Sequence, residues 1–274
     1  MRQLSTPLAV NNPIAPDWRH LAFKWPAELP APLPGQFFTF LPKMVESEAG
    51  IVLRRPIAFA GFERASDGGL AHAIYQVRGP ATRALSAMEP DDVLDIIAPL
   101  GNSFPLPDEE QHALIAGGGI GLGPVLFLAD TLEKLGRPWT LVLGFRSAER
   151  IPWNGHFKSA ILPAWQHLMN QAVITTDDGS HGLRGTVADA LDLSPLLTRP
   201  VHLYACGPSA MLATLASLAV RWNLPAHFSA EQWMACGVGA CHGCVLPAST
   251  GGYVRVCADG PVFDSRAITW EACL

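Results

Sequence analysis

This 274-residue chain has no lysine- or arginine-rich run, and charged residues make up only 16% of it, with a net charge of -5. The missing basic stripe argues against nucleic acid as the main partner. Long apolar runs are missing too: no stretch approaches the roughly 20 residues that a membrane span needs. Met1 to Val10 lacks the basic patch and apolar segment of an export signal, so the expected location is cytoplasmic. No internal repeat or low-complexity tract is present, and 49% hydrophobic residues leave no disorder signature.

What is present suits two medium domains and a small appendage. Residues 1–106 are rich in Pro, with short apolar runs at Gln36–Leu41, Ile57–Phe62, Ala71–Val77 and Val93–Ile97 divided by turn residues. That spacing predicts a small antiparallel β-barrel. Within residues 107–225 an apolar strand, Ala113–Ala116, runs into Gly117-Gly118-Gly119-Ile120-Gly121-Leu122-Gly123-Pro124 and a helical stretch to Leu135. Further strands at Thr140–Gly144, Ala172–Thr176 and Val201–Cys206 alternate with helical stretches such as Ser209–Trp222, which predicts a parallel α/β nucleotide-binding sheet. Residues 226–274 turn to glycine and cysteine and are too few to bury a core alone, so a covalent or metal centre is expected to hold them.

Four of the six cysteines fall between Cys236 and Cys257. Without an export signal, reduced metal-binding thiols are a better reading than disulfides. Cys236, Cys241 and Cys244 can converge only if the backbone coils tightly, which Gly237, Gly239 and Gly243 permit. Such a coil aims N–H groups inward at negative sulfur. Cys257 returns from a hairpin containing Gly251-Gly252 to complete the set. Cys-x4-Cys-x2-Cys with a later fourth cysteine is the plant-type [2Fe-2S] arrangement, whereas structural zinc usually takes two separated pairs. His242 is expected to face solvent, and one histidine in this pattern does not make a Rieske centre. Cys273 reads as incidental. Cys206 reads as a small core residue at the end of a strand.

The glycine-rich turn at a helix N-terminus suits a pyrophosphate, although its third glycine position is Leu122, and a tight turn without ligand has the same pattern. Arg54-Arg55-Pro56-Ile57-Ala58 sets two guanidinium groups beside a rigid Pro. It is either a flavin pyrophosphate site or a solvated basic pair.

Together these pieces resemble the electron-transfer subunits of class 1B dihydroorotate dehydrogenase, within the ferredoxin reductase-like superfamily. Pro34-Gly35-Gln36-Phe37, Arg55-Pro56-Ile57-Ala58, Ile74-Tyr75-Gln76, Gly79 to Thr82 and Pro99 to Phe104 look like the flavin-barrel motifs. Gly117 to Pro124, Thr176-Asp177-Asp178-Gly179-Ser180 and Cys206-Gly207-Pro208 look like the nicotinamide-domain motifs. Met234 to Cys244 with Arg255 to Phe263 is the most diagnostic block, because most relatives with this reductase core carry no such cluster.

The resemblance implies FAD on Arg55, Pro56, Ile57, Ala58, Ile74, Tyr75, Gln76, Ala81 and Thr82. It implies NAD approaching from Gly117, Gly118 and Gly119, with Cys206 near the nicotinamide, and a [2Fe-2S] cluster on Cys236, Cys241, Cys244 and Cys257. Ala58 stands where the family usually has Ser or Thr, and Pro80-Ala81-Thr82 lacks the second glycine of Gly-x-Gly-Thr. The implied reaction runs from dihydroorotate through FMN in a separate catalytic subunit to the cluster, then FAD, then NAD+, in a heterotetramer of two of each subunit. No side chain of this chain need act as catalyst. Pro261-Val262-Phe263 is expected either to meet the partner or to fill the appendage's own core. The sequence leaves open NAD against NADP, with Arg146 as the residue that could read a 2'-phosphate. It also leaves open the reductase subunit of a bifurcating ferredoxin-NADP reductase or sulfhydrogenase, and a non-enzymatic redox sensor.

Overall fold

The computed structural model describes residues 1–41, 53–152, 162–192 and 200–273. Six antiparallel strands close the first barrel: β1 (Arg2–Ala15), β2 (Trp18–Pro26), β3 (Phe37–Leu41), β4 (Arg55–Ala65), β5 (Gly68–Gln76) and β6 (Val93–Leu100), in the order β1-β2-β5-β4-β3-β6. Alternation drives closure: along β6 buried and more exposed residues follow each other one by one, so one face fills the barrel. Phe23, Trp25, Phe38, Phe40 and Phe59 form that filling, and Phe23 meets Phe38 edge-on at 5.0 Å. Helix α1 (Pro80–Ser86) plugs the barrel. Its start is tied by the Thr82 hydroxyl, which accepts from the Arg78 and Gly79 amides at 2.9 and 3.1 Å.

The second sheet contains β7 (His112–Gly118), β8 (Trp139–Phe145), β9 (Val173–Thr176), β10 (Leu183–Arg184), β11 (Val201–Cys206) and β12 (Ala226–Ser229), all parallel. Helices α2 (Leu122–Lys134), α3 (Pro163–Gln171), α4 (Val187–Asp192) and α5 (Ser209–Arg221) accompany it. Buried on both faces, β7 and β11 are continuous apolar runs and not alternating ones. The order β10-β9-β8-β7-β11-β12 reverses direction between β7 and β11. Ligands in such sheets bind beyond the strand ends at that reversal.

The C-terminal segment adds a small hairpin, β13 (Val245–Pro247) with β14 (Tyr253–Arg255), then α6 (Val256–Asp259) and β15 (Val262–Asp264). Gly251 and Gly252 turn the hairpin at φ 91° and 78°. β15 pairs antiparallel with β12, so the tail extends the parallel sheet on its far edge. Val262 and Phe263 are buried there, which is the core-filling alternative for the Pro261-Val262-Phe263 run. The strands read from sequence are present with ends within three residues, β4, β5 and β6 each running three residues further at one end.

The two large bodies pack closely. Gly123 of α2 lies against Ala60 of β4, and the Trp165 indole of α3 donates to the Ala60 carbonyl at 3.1 Å. Among the described residues no helix is long and apolar enough to cross a membrane.

Candidate functional site

A cavity of about 240 Å³ opens where the barrel, the sheet and the tail meet. Of the residues singled out from sequence, Pro56, Ile57, Ala58, Ile74, Tyr75, Gln76, Thr82 and Cys206 line it. Period-two geometry explains the β5 contribution: Ile74 faces α2, while the next residue, Tyr75, turns its ring into the barrel. The Tyr75 hydroxyl donates to Asn11 Oδ1 at 2.8 Å, and Asn11 in turn donates to the Leu85 and Met88 carbonyls, tying down the end of α1. Burial pushes the Tyr75 phenol far above its ordinary range.

Two of the residues expected to hold FAD stand outside the wall, as do Gly117, Gly118 and Gly119. Ala81 is buried in the barrel core, and Arg55 lies half-buried at the start of β4. Its neighbour Arg54 is held by Asp95 at 2.7 Å, whereas among the described residues Arg55 donates to the Leu53 and Arg54 carbonyls and meets no carboxylate. Of the pair, Arg55 is the guanidinium with capacity left for a phosphate. Sequence reasoning left Gly35, Phe37, Arg78, Ile120, Pro124, Ser229, Glu231, Gln232, Met234 and Pro261 off the site, although all line the cavity. Gly35, Phe37, Ile120, Pro124, Met234 and Pro261 were legible as parts of motifs. Glu231 and Gln232 were not, because nothing in the composition just after β12 says that the chain folds back over the barrel.

The cavity fits a flavin. Gln76 Oε1 is buried without a hydrogen-bond partner among the described residues and sits in a wall that includes the apolar Ile57, Ile74, Ile120 and Pro124. An unpaired buried acceptor is costly unless a ligand N–H meets it.

The glycine turn forms the adjoining crevice. Gly117 is packed: a β-carbon there would lie 2.7 Å from both Leu143 and Val125. Gly118 would meet Met211 Sδ at 2.6 Å, and Gly121 abuts the Cys206 carbonyl, so this turn and the one after β11 touch. Gly119, at φ 53°, has open space around its missing side chain. Cys206 is buried, with Ser229 acting on its thiol. Burial and then the Glu231 charge hold that thiol well above the usual range, so it is a neutral weak donor, not a nucleophile.

The cluster loop lies next to the cavity. Met234 lines the wall, and Cys236 follows two residues later, which the chain can place no more than about 7 Å away between α-carbons. The loop is built around sulfur. Cys236 Sγ accepts from the Val238 and Cys241 amides at 3.4 Å each, Cys257 Sγ from Gly239 at 3.1 Å, and Cys244 Sγ from Cys257 at 3.4 Å. Left-handed Gly237 and Gly239, at φ 69° and 82°, give the amides this direction. The Cys236 side chain interacts with that of Cys241, and the Cys257 side chain with that of Cys244. Two thiol pairs wrapped in N–H donors fit a two-iron cluster and leave one pair for each iron.

The electrostatics differ between the pairs. At Cys236 burial raises the thiol, but the amides of Val238 and Cys241 outweigh it and bring it down to about 6. Burial first, then the Cys244 thiol, pushes Cys257 up to about 12. Metal binding therefore has to displace the proton that Cys257 holds. Arg255 braces the loop: its guanidinium donates to the Gly239 carbonyl at 3.1 Å and grips Asp259 with Nε and Nη2 at 3.2 and 3.0 Å. Cys241 and His242 are exposed, Cys244 and Cys257 buried, so one edge of the loop faces outward. Cys273 stands apart, half-buried, its thiol 3.5 Å from the Thr269 carbonyl.

Comparison with known proteins agrees with this geometry. Residues 231–269 match the model of the iron-sulfur cluster binding domain of dihydroorotate dehydrogenase B. The chain is 38% identical to the dihydroorotate dehydrogenase B (NAD(+)) electron transfer subunit of Geobacillus kaustophilus, with 84% of each chain covered. It is 32% identical to that of Desulforamulus reducens, with 94% of this chain and 95% of the relative covered. Among solved structures, a chain described as NADH-dependent reduced ferredoxin-NADP oxidoreductase superposes with a TM-score of 0.78 at 26% identity, covering 97% of this chain and 90% of that one. Phthalate dioxygenase reductase shares the fold at a TM-score of 0.62 and 19% identity, covering 94% of this chain and 77% of that one. A cluster loop set against a barrel-and-sheet cavity, with identity above 30% over most of the chain, leads to one conclusion: this chain belongs to the family of dihydroorotate dehydrogenase B (NAD(+)) electron transfer subunits.

Proposed function

We propose that this chain carries electrons from dihydroorotate, oxidised in a separate FMN-containing catalytic subunit, to NAD+. Cys236, Cys241, Cys244 and Cys257 hold a [2Fe-2S] cluster, and the cavity holds FAD against Pro56, Ile57, Ala58, Ile74, Gln76 and Thr82. Arg55 meets the flavin phosphates, and Gly119 and Cys206 border the nicotinamide site. The observation that carries this reading is continuity: Met234 is cavity wall, and Cys236, two residues on, begins the cluster loop. FAD, when bound, supplies the exchange between one-electron and two-electron traffic.

This chain's residues do the placing. Ile57, Ile74 and Ile120 exclude water, Gln76 orients the ring edge through its free acceptor, and the loop amides stabilise charge on sulfur. The exposed edge at Cys241 and His242 suits contact with the catalytic subunit, in an assembly of two of each chain in the cytoplasm. A role as the reductase subunit of another iron-sulfur complex shares the same wiring, and the 0.78 superposition with a ferredoxin-NADP oxidoreductase chain favours keeping it as the second reading.

The test is assembly and turnover. Anaerobically loaded with iron, sulfide and FAD, the chain should reduce artificial acceptors with NADH and should not oxidise dihydroorotate by itself. Purified from its native cell it should bring a dihydroorotate-oxidising subunit with it. Oxidation of dihydroorotate by the lone chain would refute the division of labour, and a loaded chain without NADH turnover would favour a sensor.

A further inference from the structure

Electrons that travel through iron and sulfide bring no proton, whereas the hydride delivered to NAD+ is two electrons and one proton. Under the function proposed above, on which this inference rests, the balance is NAD+ + 2 e- + H+ → NADH. Each turnover must therefore draw one proton into the junction of barrel, sheet and tail.

Few groups in the described wall can hold it. Cys206 keeps its proton, Tyr75 spends its hydroxyl on Asn11, and Arg78 is a guanidinium, which does not deprotonate in proteins. Glu231 remains. It stands one residue beyond β12, after Ala230, on the strip of chain that leads to the cluster loop, and it lines the cavity while keeping exposed surface.

We propose that Glu231 is the proton carrier of this cavity, loading from solvent on its open side and delivering to the flavin as electrons arrive from the cluster. The carboxyl sits deep among protein atoms although its own surface faces open space. Burial pushes it above the usual carboxylate range, and Arg78 partly opposes the shift. Arg78 from the barrel and Cys206 from the sheet are the charged and titratable groups acting with it. A carboxyl that holds its proton more tightly than usual can both take and give one there. The proton leaves Glu231 as it joins the incoming electron pair and departs with that pair on NAD+, and Glu231 recovers its own from water.

Direction of flow separates this role from a structural one. Reduction by NADH brings its own hydrogen and needs no proton from Glu231; reduction through the cluster does. Wild type, Glu231→Gln and Glu231→Asp, loaded with iron, sulfide and FAD, are followed anaerobically by stopped-flow bleaching of the flavin band, driven once by reduced methyl viologen and once by NADH. The proposal expects Glu231→Gln to lower the viologen-driven rate by about 10²-fold relative to the NADH-driven rate of the same variant. Glu231→Asp and added formate should restore part of it. At neutral pH the loaded wild type should show the infrared carbonyl stretch of a protonated carboxylic acid, absent from Glu231→Gln.

Equal loss in both directions, no loss in either, or no such infrared band would overturn the proposal. The band's presence is read on wild type, so the test stands even where the Gln variant loads poorly. Failure of NADH to bleach the wild-type flavin would instead overturn the function on which the inference rests.

Discussion

A β-carbon on Gly237 would lie 2.6 Å from Cγ2 of Thr39, so the cluster loop rests directly on barrel strand β3. The same glycine holds φ 69°, and the Thr39 hydroxyl beneath it is buried without a partner among the described residues. Contact and conformation both demand glycine. Gly237→Ala should cost about 1–2 kcal/mol from the left-handed backbone alone, with the clash added. The expected outcome is a lower melting temperature and a lower iron content after reconstitution, while FAD is retained.

Gln76 makes the converse prediction, touching FAD and leaving the cluster alone. Gln76→Leu removes the unpartnered acceptor from the cavity wall. FAD retention should weaken by about 1 kcal/mol, near fivefold in dissociation constant, with iron content unaltered. Equilibrium dialysis against FAD checks it.

Gly121 and Cys206 bring the two nucleotide-side turns together. Gly121→Ala would force the Cys206 carbonyl away and displace the crevice. The KM for NADH should rise, by up to about 10²-fold if reacting groups shift by an ångström, and the visible spectrum of the loaded chain should stay the same.

Acid should weaken the junction between barrel and α3. His20 Nε2 and His72 Nδ1 lie 3.0 Å apart, buried beneath the edge of Trp165. Burial, and then the charge of His72, lowers His20 from 6.5 to about 3; burial also lowers His72, with Glu63 opposing. Folded histidines thus stay neutral while unfolded ones gain protons below about 6.5. Stability is level above that pH and falls as pH drops toward the folded values, by up to about 1.4 kcal/mol per unit for each histidine. Melts at pH 7.5 and 5.5 should show a larger loss for wild type than for a His20→Phe, His72→Phe double variant.

Much of this architecture was legible because local chemistry and global form agree. The run Val201–Cys206 reads as one buried strand, and the structure gives it those bounds. Spacing alone grouped Cys236, Cys241, Cys244 and Cys257, and Gly237 and Gly239 take the left-handed turns expected between the first two, whereas His242 and not Gly243 takes the next. Other parts were not. β15 joins the sheet through Phe263 opposite Phe228, a pairing across 35 residues that no local pattern announces. Glu231 and Arg78 come together only because the tail folds over the barrel, and an isolated charge in a sequence does not reveal its neighbour. Ala81 shows the reverse limit: its motif points to the flavin, yet its side chain packs into the barrel core.

The thiol quartet is tested most directly by metal analysis with electron paramagnetic resonance on the anaerobically loaded, dithionite-reduced chain. The account predicts two irons and two sulfides per chain and a plant-type signal of one unpaired spin. That signal should vanish in Cys257→Ser, persist in Cys273→Ser, and leave FAD bound in both. Stoichiometric zinc, or a full signal in Cys257→Ser, would contradict it.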